Sequence, residues 1–105
     1  MRFLDICRNL SNPPQGNTPY LIIVQGDYVR VNSTRVVVPL MKLEAVSPII
    51  KGGLMPEFAV EGQSVVMVTP ELAGIPISEI GPVVTNALAR HHDVRRAIDI
   101  LTGDF

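Results

Sequence analysis

Short apolar runs separated by breakers dominate the first three quarters of the chain, and a helical spacing dominates the last. Met1–Arg8 reads as a first strand. Ser11–Pro19 carries Asn12, Pro13, Pro14, Gly16, Asn17 and Pro19 and reads as a loop. Tyr20–Gln25 is continuous and rich in Ile and Val, the pattern of a strand buried on both faces, closed by Gly26-Asp27. After a turn signal at Asn32-Ser33, the β-branched run Thr34–Val38 predicts a strand that stops at Pro39 or lies at an edge. Ala45–Gly53 is weakly patterned, with Ser47-Pro48 and Gly52-Gly53 as breakers.

Glu57–Glu61 alternates, with Phe58 and Val60 on one side and Glu57, Ala59 and Glu61 on the other. Ser64–Val68 follows, and the short connection through Gly62 and Gln63 predicts a hairpin. Thr69-Pro70-Glu71 reads as a helix start capped by Thr69 and closed by Gly74 after about one turn. Val84, Ala87, Leu88, His91, Val94, Ile98 and Leu101 recur at spacings of three and four, predicting a helix of about five turns. Thr102 and Gly103 end it. Strands followed by one helix indicate a β-rich α+β domain rather than alternating α/β. With 105 residues, a single domain spanning 1–105 is expected.

Composition narrows the function. Hydrophobic residues make up 47% and charged residues 18%, so the chain packs a core and is not disordered. Nine Lys+Arg against ten Asp+Glu give a formal net charge of −1, a poor basis for holding nucleic acid by phosphate neutralisation. Aromatics are 5% with no Trp, so stacking platforms are scarce. No secretory core forms at the N-terminus, because Asp5 and Arg8 interrupt it, and no apolar run approaches the ~20 residues that span a bilayer. A cytoplasmic protein that does not engage a membrane is expected.

Catalytic chemistry is thin. His91 and His92 are adjacent, about 100° apart on a helix, and cannot close on one metal as an i, i+4 pair does. His91 falls on the apolar stripe as a packed neutral ring. The lone Cys7 lies in a strand and reads as a buried, inert thiol. Carboxylates are dispersed, and no Gly-rich phosphate loop is present. Neither catalytic residues nor a cofactor is predicted. Arg90, Arg95 and Arg96 form a basic cluster, read as a solvated face balanced by Asp93 and Asp99 or as a rim for an acidic partner. Terminal Phe105 either folds back or serves as an anchor for another protein's pocket.

The chain resembles the CcdB-type toxins of bacterial toxin–antitoxin modules. The likeness rests on Met1-Arg2-Phe3, Val24-Gln25-Gly26-Asp27, Arg35–Leu40, Leu54-Met55-Pro56, Met67-Val68-Thr69, Ala73–Pro76, Ile80-Gly81, Asp93-Val94 and Ala97-Ile98, in order and at matching spacing after Tyr20. It implies an SH3-like β-barrel of the CcdB/MazF/Kid kind with a C-terminal helix, assembled as a homodimer. It also implies binding to the DNA gyrase A subunit, trapping the cleaved gyrase–DNA complex with no covalent step, and neutralisation by a CcdA-like antitoxin. DNA would be met only indirectly, through the antitoxin complex. The family's gyrase contacts fall on Tyr28, Val29, Asp99, Thr102, Gly103, Asp104 and Phe105. The last three replace a Trp-Gly-Ile ending, so the stacking indole is missing and a carboxylate is added. Tyr28 stands where the family has an aliphatic residue. The alternatives are a ribonuclease toxin on the same fold, hinted at by Thr34-Arg35, and a homologue that binds antitoxin but does not poison gyrase.

Overall fold

The computed structural model describes residues 1–30, 33–46 and 53–103. The predicted turn at Asn32, the breakers Ser47, Pro48 and Gly52, and the tip residues Asp104 and Phe105 lie outside them. Among the described residues, seven strands form one curled antiparallel sheet: β1 (Asp5–Asn9), β2 (Tyr20–Ile23), β3 (Thr34–Lys42), β4 (Glu57–Val60), β5 (Gln63–Met67), β6 (Ala73–Pro76) and β7 (Ile80–Asn86). One α-helix is described, α1 (His91–Thr102), and it follows the last strand. The order is β4-β5-β3-β2-β1-β7, with β6 also paired to β3. The result is a half-barrel with one C-terminal helix, the β-rich α+β architecture that the strand-then-helix order predicts.

Each central strand is buried on both faces, because the sheet has a core on either side. Ile6, Ile22, Val38 and Leu40 pack with Phe58, Val65, Met67, Val94 and Ala97 on the helix side. The alternate residues Cys7, Leu21, Ile23 and Val37 pack with Ile80 on the other. Helix α1 docks through Val94 and Ala97, both 0% exposed. Burying Val94 alone stabilises the fold by about 1.5–3 kcal/mol. Cys7 is buried as expected, and burial, with the nearby Asp5 charge adding to it, pushes its thiol pKa up.

Several elements differ from the sequence pattern. Met1–Leu4 is not strand: Arg2–Asp5 form a turn, and Leu4 sits at φ 64°. A non-glycine residue there costs about 1–2 kcal/mol. It is held because the Leu4 amide donates to the Ile23 carbonyl at 2.7 Å, its own carbonyl accepts from Ala87 at 2.9 Å, and its side chain is fully buried.

Strand β3 runs through Pro39 to Lys42 rather than stopping at it. The Pro39 carbonyl accepts from Val68. By strand alternation, its missing N–H faces the seam where pairing with β6 (through Val37) gives way to pairing with β5 (from Leu40), so no ladder bond is lost. The hairpin predicted between β4 and β5 is present, but its two turn residues are Glu61 and Gly62, at φ 52° and 76°, and Gln63 already pairs with Val60.

Thr69 does not cap a helix. Thr69–Glu71 is one 3-10 turn, the buried Thr69 hydroxyl donates to the Met67 carbonyl, and Gly74 lies inside β6 rather than closing the turn. The five-turn helix shortens to the twelve residues of α1, because Ile80–Asn86 is strand β7 and Leu88–Arg90 a 3-10 turn. Strand β7 pairs with β1 through register shifts on either side of Cys7. Such bulges break the two-residue alternation and leave inward positions at irregular spacings that mimic a helix. Gly103, at φ 77°, ends α1 by donating to the Asp99 and Ile100 carbonyls.

Candidate functional site: an exposed turn beside the C-terminal helix

The β2–β3 connection leaves the sheet through a tight turn in which the Val29 amide donates to the Gly26 carbonyl at 3.1 Å. Two polar side chains fix its base. Gln25, only 9% exposed, accepts the Val36 amide on Oε1 and donates from Nε2 to the Val29 carbonyl, both at 3.1 Å. Asp27 accepts the Phe3 amide at 2.8 Å. At the crest, Tyr28 is 94% exposed and Val29 53% exposed. An aromatic and an aliphatic side chain held side by side in solvent on a hydrogen-bonded turn are accessible to a partner's pocket.

Between this turn and α1 lies a cleft of about 480 Å³. Phe3, Val24, Val94 and Ile98 form its apolar walls, all belonging to or packed on the helix-side core. Asp27, Tyr28, Arg95 and Asp99 form its rim. The sheet sets the geometry: β2 delivers the turn, and α1, laid across the sheet by Val94 and Ala97, delivers Arg95, Ile98 and Asp99 one turn apart on its facing side.

Of the residues singled out from the sequence, Tyr28 and Asp99 are therefore brought together on one cleft. Val29 belongs to the same turn but faces a smaller hollow shared with Met1, Gln25 and Arg35. Thr102 and Gly103 lie at the end of α1 and do not line the cleft; the Thr102 hydroxyl donates back to the Ile98 and Asp99 carbonyls. Asp104 and Phe105 fall outside the described residues. Phe3, Val24 and Asp27 were not singled out as site residues. All three lie in segments that carry the family resemblance, but beyond it Phe3 and Val24 show only hydrophobicity and Asp27 only a strand breaker.

The three arginines do not make one surface. Arg90 lies over the Phe58 ring at 4.4 Å and pairs with Asp93 at 2.6 Å, and this hydrogen bond lowers the Asp93 pKa. Arg95 turns to the cleft, and Arg96 lies against Gly53. His91 is half-buried at the start of α1, its Nδ1 3.2 Å from the Leu88 carbonyl, and its ring lies against that of His92. Among the described residues no cluster of three His, Cys, Asp or Glu could hold a metal, and no helix is long and apolar enough to cross a membrane.

The chain resembles the Mycobacterium tuberculosis toxin MazF-mt6 with a TM-score of 0.68 and 12% identity, over 94% of this chain and 96% of that one. The chain belongs to the CcdB family: the model of the CcdB protein matches residues 3–103. It is thus a toxin of the toxin–antitoxin kind, whose partner class includes an antitoxin.

Proposed function

We propose that this chain is a non-enzymatic poison of DNA gyrase. In this reading it acts in the bacterial cytoplasm as a homodimer. It binds the gyrase A subunit and holds the enzyme in the state in which DNA is cut. A ligand that binds one conformation better accumulates that conformation, so no covalent step by the toxin is required. A twofold dimer offers the same surface twice to a twofold target. A CcdA-like antitoxin neutralises it and carries the DNA contact.

The observation that supports this most is the exposed Tyr28–Val29 turn set beside a cleft that the C-terminal helix shares. Tyr28 supplies an aromatic anchor to a surface whose family tip, Trp-Gly-Ile, is here Gly103, Asp104 and Phe105. The rim sets Asp27 and Asp99 against one cation, Arg95, and the exposed ring itself offers a face to a partner's cationic side chain.

The test is a cleavage assay with purified protein, gyrase and supercoiled DNA. The expected result is accumulation of linear DNA after denaturation, reduced in Tyr28→Ala. Ordinary supercoiling at high excess of the protein overturns the reading. If antitoxin binding persists there, the chain is a homologue that does not poison gyrase. RNA degradation that disappears in Arg35→Ala would make it a ribonuclease instead. Deleting Asp104-Phe105 should abolish toxicity while leaving the dimer intact.

A further inference from the structure

We propose that Gln25 is a positioning residue, whose side-chain amide holds the 26–29 turn in the shape that presents Tyr28 and Val29 to a partner. The proposal rests on the gyrase-binding reading for its partner, but its structural part stands apart from it.

Gln25 is one of only three buried polar residues among those described, together with Asp5 and Thr69. The other two serve their own neighbourhood: Asp5 accepts from the Arg2 amide and from Asn86, and Thr69 donates two residues back. Gln25 bridges two segments. The backbone ladder between β2 and β3 reaches the bond from the Val24 amide to the Val36 carbonyl at 3.0 Å. In place of the return bond of that same pair, Gln25 Oε1 accepts the Val36 amide. The other end of the same amide, Nε2, holds the Val29 carbonyl. A planar group of fixed length thus ties the far side of the turn to the start of β3. Cutting either hydrogen bond would leave an end of the buried Gln25 amide without its partner.

A turn with a 94%-exposed ring at its crest has no packing of its own to order it. Whatever order it has before binding comes from its base, and order present beforehand is a cost removed from association. Gln25→Glu separates the two ends of the tie: the carboxylate still accepts from Val36 but cannot donate to the Val29 carbonyl and repels it.

The experiment combines amide exchange by NMR, thermal unfolding and calorimetric binding to the purified gyrase A subunit, in wild type, Gln25→Glu, Tyr28→Ala and the double variant. In Gln25→Glu we expect faster exchange at the Val29 amide, with the β2, β3 and α1 amides protected as before. We expect binding weaker by on the order of tenfold, the scale of one such hydrogen bond. In the Tyr28→Ala background, Gln25→Glu should cost little further, because the residue it positions is gone. Unchanged exchange at Val29, or losses that multiply independently, would overturn the proposal. If Gln25→Glu does not fold, Gln25→Met, which cuts both ends of the tie, is read at the Val29 amide and in binding, with faster exchange at Val36 also expected; loss of the whole fold in both would show that Gln25 holds the domain rather than the turn. Failure of the wild type to bind the gyrase A subunit would sink the proposed function alone, with the exchange data still deciding the role of Gln25.

Discussion

Two turns of this sheet use polar side chains in opposite ways. At the β4–β5 hairpin they tether the crest. Glu61 reaches back to β1 and β2, accepting from Arg8 at 2.8 Å on one oxygen and from the Tyr20 hydroxyl on the other. In the 26–29 turn they tether the base, and the crest is left to Tyr28 and Val29. The first turn closes the half-barrel onto itself. The second is rigid where it leaves the sheet and apolar where it meets solvent. Exposure alone does not distinguish them, since Glu61 is also exposed; the chemistry of the crest does. The difference assigns the hairpin to stability and the 26–29 turn to recognition.

Breaking the recognition turn should have the largest effect on function. Tyr28→Ala is expected to weaken binding to the gyrase A subunit by about 2 kcal/mol or more, the scale of an aromatic hot spot. Its melting temperature should stay near that of the wild type, because the ring touches little of its own chain. Calorimetry beside a thermal melt checks both halves, and a large fall in stability would mean that the ring is structural.

At the hairpin, Gly62→Ala should lower stability by about 1 kcal/mol, the cost of a side chain at positive φ. An added Cβ meets no other atom within 4 Å, so no clash adds to it. Urea unfolding measures this, and partner binding should be unaffected.

The same clasp sets a pH response. The hydrogen bond from Tyr20 lowers the Glu61 pKa. Its contribution is therefore complete above the ordinary carboxylate range and is lost as pH falls through the lowered value. Burial, together with the Glu61 hydrogen bond, raises the Tyr20 pKa. Its contribution is complete below the ordinary tyrosine range and fades as pH rises through the raised value. Stability should thus fall at both extremes; in Glu61→Gln the acid limb should flatten and the alkaline limb only in part, because burial still raises the Tyr20 pKa. An unchanged profile in that variant would remove the clasp from the account.

The smallest effect expected is that of Arg8→Ala. Its pair with Glu61 is about half-exposed on both sides, so the loss of stability should be small and should shrink further at high salt.

Much of the scaffold was legible in the residues. The apolar run at Tyr20 marks a strand covered on both faces, the alternation at Glu57–Glu61 marks its hairpin, and Gly103 marks the end of the helix. The misreadings share a cause: they fall where a neighbouring strand overrides the local pattern. Pro39 is tolerated because its missing donor meets a seam between two partners. The end of β7, from Val84, carries a helical spacing because bulges against β1 remove its alternation. At the site, Tyr28, Val29 and Asp99 were marked by the family resemblance alone; no periodicity or composition singles them out. Nor could any local signal join them to Phe3, 25 positions before Tyr28 in the chain.

By itself, then, the sequence determined the class of the domain, its strand-then-helix order and its family, because periodicity, breakers and matching segments are local properties that survive without coordinates. Only the tertiary structure decided that a turn after β2 and a helix seventy residues later enclose one cleft, and that Gln25 is a tie rather than a strand end. Those facts depend on which strands pair and in what register, and pairing is settled by the burial of both sheet faces at once rather than by any one segment's preference.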